Sequence, residues 1–267
     1  MAVSQWVAVV PAKRLAAAKR RLRGAVGDPR HGELALAMLC DTLSAALACG
    51  QVAEAVVVTD DPVIAAAARS LGARPVPDPI PGAVESGGLN AAVESGGLNA
   101  AIESGPLNAA IEFGADVAAG LHRWRVVLAG DLPGLRPAEL SAVLQLAAAT
   151  PARHFLPDAA GTGTVLLTAP PGVALRPRFG TASAAAHAAS GARRLAGDFP
   201  ALRRDVDTPD DLRAVLTLGA GPRTTRVLAD EAGRATSEAG GADHARCAPR
   251  TRRGGDRSST GHGSGDV

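Results

Sequence analysis

The chain contains twenty-eight basic residues of which only two are lysines, and these two, Lys13 and Lys19, fall within seven positions of each other. Where arginine is so heavily preferred, a lysine marks a place that wants a compact point charge on a flexible stem rather than a planar fork. Both belong to the stretch 13–23, which carries Lys13, Arg14, Lys19, Arg20, Arg21 and Arg23 and no acid. Such a run reads either as an edge that holds a polyphosphate or as the solvated basic face of a helix. Its position directly after an apolar run favours phosphate. There is no Walker-type loop and no dinucleotide-binding glycine fingerprint, so P-loop hydrolases and ordinary Rossmann dehydrogenases lose their main support.

Carboxylates form the second group. Asp131 stands in Gly130-Asp131-Leu132-Pro133, and Asp205 and Asp207 flank Val206. In an extended segment residues i and i+2 point the same way, so Asp205 and Asp207 could face one cation. Carboxylates that share magnesium with substrate phosphates are a common way to neutralise a phosphoryl group under attack. The alternative is a cap, with Asp207 or Thr208 opening a helix ahead of Pro209; spacing leaves both open. A third group is Gly161-Thr162-Gly163-Thr164 followed by Arg178-Phe179-Gly180-Thr181-Ala182-Ser183, with His187 four residues on. Glycine lets backbone approach an anion and the hydroxyls donate to it, which suits a small acidic substrate. His187 is read as a structural or helix-start residue rather than a base.

These groups need a frame, and the apolar pattern supplies one. Short β-branched runs at Trp6–Val10, Ala55–Thr59, Arg125–Ala129 and Thr164–Thr168 alternate with Ala/Leu-rich stretches near 32–48, 62–71, 109–120 and 137–149. This predicts an α/β sheet with helices on its faces. Asp131 and the pair Asp60-Asp61 each follow a strand, on the side where ligands gather in open α/β sheets.

At 267 residues, 46% hydrophobic and 20% charged, the chain can bury a core, which excludes wholesale disorder. Six aromatic residues, none of them Tyr, argue against a platform for single-stranded nucleic acid. Residues 1–221 are electrically neutral and the net charge of +2 resides in 222–267, so a nucleic-acid partner is not expected. From 222 onward the composition turns to Gly, Ser, Thr, Arg and Asp, and a disordered, low-complexity tail is expected over 222–267. Cys40, Cys49 and Cys247 make neither a disulfide framework nor a zinc pattern; with no apolar run of membrane length and no basic leader, the expected location is the cytoplasm. A nine-residue repeat gives Leu89-Asn90, Leu98-Asn99 and Leu107-Asn108. Successive copies would fall on opposite helix faces, so 82–105 reads as a loop lengthened by duplication.

Taken in order, Val10–Lys19, Val57–Pro62, Leu107–Ala110, Gly130–Pro133, Gly161–Thr164, Arg178–Gly180 with Ser183, and Asp205–Pro209 resemble the 2-phospho-L-lactate/phosphoenolpyruvate guanylyltransferases of coenzyme F-420 biosynthesis, over residues 5–220. The resemblance implies a single Rossmann-like GT-A domain of the nucleotide-diphospho-sugar transferase type, with a mixed central sheet over 1–221. It implies guanylyl transfer from GTP to phosphoenolpyruvate, giving enolpyruvoyl-2-diphospho-5'-guanosine and diphosphate, with 2-phospho-L-lactate as the alternative acid. By motif, Thr164, Gly180 and Ser183 would bind the acid; Asp131, Asp205 and Asp207 would hold Mg2+; Lys13, Lys19 and Asn108 would serve the nucleotide, with Lys13 and Asp131 catalytic. Thr181-Ala182 departs from the family pattern. Related transferases for molybdenum cofactor or sugar phosphates open on a glycine-rich loop that Pro11-Ala12-Lys13 replaces, and a non-catalytic nucleotide-binding scaffold is the remaining rival. No nucleic acid and no membrane are expected as partners; a homodimer is left open.

Overall fold

The computed structural model describes residues 6–16, 22, 30–79, 105–119 and 122–244. Seven strands form one mixed sheet: β1 Trp6–Pro11, β2 Val52–Val58, β3 Arg74–Val76, β4 Trp124–Leu128, β5 His154–Pro157, β6 Thr164–Ala169 and β7 Arg193–Arg194, in the order β3-β2-β1-β4-β6-β5-β7. The half containing β3, β2, β1 and β4 is parallel, β6 runs antiparallel to both β4 and β5, and β7 is parallel to β5. The chain leaves β1 toward β2 and β3, then returns to place β4 on the other side of β1. That reversal opens a crevice beyond the carboxyl ends of β1 and β4, the usual ligand position in such sheets.

The central strands read as near-continuous apolar runs because both of their faces are buried. On one face Trp6, Ala8 and Val10 of β1 pack with α1 (His31–Leu47), α2 (Pro62–Ser70) and α4 (Pro137–Ala148) through Leu39, Leu43, Ile64, Leu140 and Leu144. On the other, Val7 and Val9 meet α3 (Pro106–Ala119) through Ala110, Ile111 and Ala115. Gly114 permits this close seating, since a Cβ there would overlap the Val58 side chain and press on Val9. At the end of the sheet remote from the crevice, Trp6 and Trp124 are register partners with ring centroids 4.7 Å apart.

A third, smaller core joins Leu34 and Met38 of α1 to Val206, to Leu212 and Val215 of α6 (Pro209–Leu218), and to Val227 of α7 (Pro222–His244). Here the expectation of an unordered tail from 222 needs correction, because 222–244 are helical and the compact body extends to Glu231. The reason is non-local. The buried Asp41 carboxylate accepts the Arg223 and Thr224 backbone N–H groups at 3.2 and 2.8 Å, supplying an N-terminal cap from another helix. Buried Arg30 bonds the Val227 carbonyl and Glu231, both at 3.3 Å. Residues 232–267 form a second unit, of which 232–244 are helical; 245–267, with Cys247, lie outside the described residues, as does the repeat over 82–104.

Strands and helices expected from the apolar pattern all appear, within about three residues at each end. The short elements β3, β5 and β7, the helix α5 (Ser183–Ala189), and α6 and α7 are additions. Cys40 and Cys49 are free and buried, as small hydrophobes. Among the described residues no helix is long and apolar enough to cross a membrane.

Candidate active site

Lys13 emerges directly after β1, and its loop is fixed by groups that follow β2. Arg14 pairs with Asp60 at 2.8 Å, and the Leu15 N–H donates to Asp61 at 2.9 Å. Asp61 also caps α2, accepting from the Val63 and Ile64 N–H groups, with Pro62 at the first helical position. The strand-end acids Asp60 and Asp61 are therefore anchors for the loop that presents Lys13.

Asp131 emerges after the neighbouring strand β4. Gly130 brings the two strand ends together: a Cβ there would sit 3.2 Å from Leu39 and 3.3 Å from the Pro11 carbonyl. The buried Thr42 hydroxyl on α1 accepts the Leu132 N–H at 3.0 Å while donating to the Met38 carbonyl at 2.9 Å. From the far side, the Val206 N–H donates to the Asp131 carbonyl at 3.1 Å, and Gly221 N–H to that of Pro133 at 2.7 Å. Segment 205–207 is thus stitched to the Asp131 loop. Val206 is buried in the third core, while the acids on either side of it remain partly or fully exposed.

The alternative role for these acids is decided by the start of α6. Its cap is Thr208, whose hydroxyl accepts the Asp211 N–H, and Asp211 returns the bond to the Thr208 N–H at 2.9 Å. Neither Asp205 nor Asp207 caps the helix. The Asp205 carboxyl is pushed up to about 7, by burial first and then by the like charges of Asp131, Asp207 and Asp158. Mutual repulsion of this kind is what a bound cation relieves, and hard carboxylate oxygens are the donors magnesium takes. Among the described residues no group of three or more carboxylate, histidine or cysteine side chains is placed to hold a metal ion. Magnesium tolerates this, because it ordinarily keeps waters and substrate phosphate oxygens in its shell beside one or two carboxylates.

A cavity of about 650 Å³ opens at this place, lined by Lys13, Asp131, Asp207, Phe179 and Gly180, with Met38, Leu39 and Ile111 among its apolar walls. That volume lies in the range of small-ligand sites. Lys13, Asp131, Asp207 and Gly180 are therefore brought together, and Asp205 adjoins them. Thr164 and Ser183 do not line the cavity; both are buried, 8% and 2% exposed. Asn108 is buried too, with its carboxamide on the Phe179 backbone. Lys19 lies outside the described residues.

Three residues carry more than their sequence signals suggest. Asp158 accepts the Thr162 and Gly163 N–H groups at 3.0 and 2.9 Å, shaping the glycine-threonine loop beside Asp205; an acid five residues ahead of a glycine was the available sign. Arg125 and Arg153, both buried, donate to backbone carbonyls along one loop, Pro170 and Val173 for the first and Leu175 and Arg176 for the second. His187 is fully buried with both ring nitrogens occupied, which removes it as a base.

Comparisons with known proteins show the family. Residues 29–206 match the MobA-like NTP transferase domain. The chain is similar to the phosphoenolpyruvate guanylyltransferase of Salinispora arenicola, 53% identical over 82% of this chain and 91% of that one. It is similar to the enzyme of the same name from Geodermatophilus obscurus, 50% identical over 85% and 96%. Among solved structures, a protein from Desulfovibrio desulfuricans G20 assigned as a nucleotide-diphospho-sugar transferase superposes with a TM-score of 0.57 at 15% identity, covering 86% of this chain and 96% of that one, a likeness of fold. With a lysine and a carboxylate on adjoining strand ends, and relatives matched along nearly their whole length, the chain is a nucleotidyltransferase and belongs to the phosphoenolpyruvate guanylyltransferase family, built on the MobA-like NTP transferase domain.

Proposed function

We propose that this protein transfers the guanylyl group of GTP to the phosphate of phosphoenolpyruvate in the crevice beyond β1 and β4, releasing diphosphate, as a step of coenzyme F-420 biosynthesis. The observation that carries the reading is the convergence of Lys13, Asp131 and Asp207 on one cavity at the point where strand order reverses. The named activity of relatives at 42–53% identity supplies the choice of acid and of nucleotide.

A phosphate oxygen of the acid attacks the α-phosphorus of GTP in line, a new P–O bond forms, and the bond to the bridging oxygen breaks with its electron pair leaving on diphosphate. The attacking oxygen is already ionised at neutral pH, so no side chain has to remove a proton. His187, buried and doubly bonded, is consistent with a site that needs no base. Lys13 places a compact positive charge against the polyphosphate, and the apolar walls keep water from the reacting phosphorus. Asp131, Asp205 and Asp207 would hold magnesium, whose chemistry here is charge neutralisation on phosphate oxygens. The protein's own share is positioning and electrostatics. The setting proposed for this work is the cytoplasm, which the free, buried thiols of Cys40 and Cys49 suit.

The test offers GTP or ATP with phosphoenolpyruvate, 2-phospholactate or 3-phosphoglycerate in parallel and identifies product by mass. GTP with phosphoenolpyruvate should give the guanylylated acid and diphosphate, and Asp131→Asn should abolish it while the protein stays folded. Absence of product with every acid, or full turnover by Asp131→Asn, would overturn the reading.

A further inference from the structure

One wall of the cavity, at Phe179 and Gly180, is held by two buried side chains that belong to different helices. His187 of α5 accepts the Arg178 backbone N–H at Nε2, 2.9 Å away, and its Nδ1 lies 3.0 Å from the Thr164 hydroxyl. A backbone N–H can only donate, so Nε2 is the nitrogen without a proton. Neutral imidazole has one proton, which therefore sits on Nδ1, facing the Thr164 hydroxyl and the Ser183 carbonyl. One residue further, the Phe179 N–H donates to Asn108 Oδ1 at 2.8 Å, and Asn108 Nδ2 donates back to the Phe179 carbonyl at 3.1 Å. The Phe179 ring stands edge-on to His187, with centroids 5.0 Å apart. Gly180 follows at φ +135°, a backbone geometry that only glycine enters readily, so its amide direction depends on how the two residues before it are fixed.

We propose that His187 and Asn108 are positioning residues for the acid: together they set the backbone entering Gly180, which lines the cavity. This rests on the reading that the chain takes a phosphorylated three-carbon acid, and it gives Asn108 a place on the acid side of the site, whereas the family resemblance had implied the nucleotide side. Neither residue touches the reacting atoms. They act through Phe179 and Gly180, so their loss weakens the acid's binding and leaves that of the nucleotide intact.

The variants separate the two arms of the imidazole. His187→Gln keeps an acceptor near Nε2 for Arg178 but loses the donor to Thr164; His187→Asn keeps a donor near Nδ1 but loses the acceptor; His187→Ala loses both. With saturating GTP, His187→Ala and Asn108→Asp should raise KM for phosphoenolpyruvate at least tenfold, with KM for GTP changed less than twofold. Gln and Asn at 187 should each recover part of the loss. Nitrogen-15 spectra of the wild-type imidazole should show the neutral tautomer protonated on Nδ1. An unchanged KM for the acid, a parallel rise for GTP, or a proton on Nε2 at neutral pH would each overturn the proposal. If His187→Ala does not fold, the comparison of His187→Gln with wild type decides. Acid binding measured by calorimetry keeps the two readings apart: a wild type that makes no product yet binds the acid tighter than His187→Gln would sink guanylyl transfer and leave the clamp standing, whereas equal binding by the two would sink the clamp.

Discussion

Thr42 offers a direct test of how the Asp131 loop is held. Its side chain is fully buried on α1, and its hydroxyl is the acceptor for the Leu132 N–H at 3.0 Å. Thr42→Val keeps the shape but replaces that oxygen with a methyl group, leaving a buried N–H without a partner. An unsatisfied buried donor costs about 1–3 kcal/mol, so about 2 kcal/mol is expected here. For a body of this size that corresponds to a fall in Tm of roughly 4–8 °C. Thr42→Ser keeps the oxygen and loses only a buried methyl, for about 1 kcal/mol. The two tryptophans, Trp6 and Trp124, are in contact at the remote end of the sheet, so their fluorescence follows urea unfolding without interference from the crevice. Turnover should separate the variants more sharply than stability does, because only the valine frees the loop that carries Asp131: about a tenfold loss in kcat for Thr42→Val and most activity retained by Thr42→Ser. A Thr42→Val protein within 0.5 kcal/mol of wild type, or a serine variant that loses as much as the valine, would refute the reasoning.

Two further outcomes follow from buried polar groups. Burial holds His187 down to about 4, opposed by the Ser183 carbonyl and reinforced by the charges of Arg153 and Arg178; between about pH 6.5 and 4 the unfolded chain takes up a proton that the folded chain refuses, so stability falls as pH falls through that window, by about 3 kcal/mol below both values. Urea melts at pH 7 and 4.5 should show a smaller pH loss for His187→Gln than for wild type, and equal losses would contradict this. Removing the carboxylate that caps α7 by Asp41→Ala should cost about 2–3 kcal/mol and expose the helix start near Thr224 to hydrogen exchange; unchanged protection there would mean that the cap is supplied otherwise.

What could be read from the sequence is what local pattern encodes. The runs at Trp6–Pro11, Val52–Val58 and Trp124–Leu128 announce themselves because strands covered on both faces are apolar throughout. β7 does not, since it is two exposed arginines held only by backbone bonds, Arg193 N–H to the Arg153 carbonyl and Leu195 N–H to that of Phe155. β3 hides behind Pro75, which an edge strand tolerates. The start of α7 reads as loop because its stabilising partner, Asp41, is some 180 residues distant. Within the site, Lys13, Asp131 and Asp207 were legible from charge type and strand ends. The engagement of Asn108 with Phe179, 71 residues on, was not, because an asparagine before a helix looks the same whether it faces a ligand or a backbone.

The loop that leads from β6 toward the Phe179 wall has an unusual kind of support. Arg125 and Arg153 grip it only by its carbonyl oxygens, from Pro170 to Arg176, while residues 171–174 are exposed. Every residue has a carbonyl, so this grip asks nothing of the side chains at Val173 and Ala174, whereas Gly172 at φ +77° and the buried Leu175 are constrained in their own right. Val173 and Ala174 can drift, or accept a cysteine carrying a fluorophore, without disturbing the path of the chain. A dye attached at Val173 would then report from a few residues upstream of the place where the acid is held.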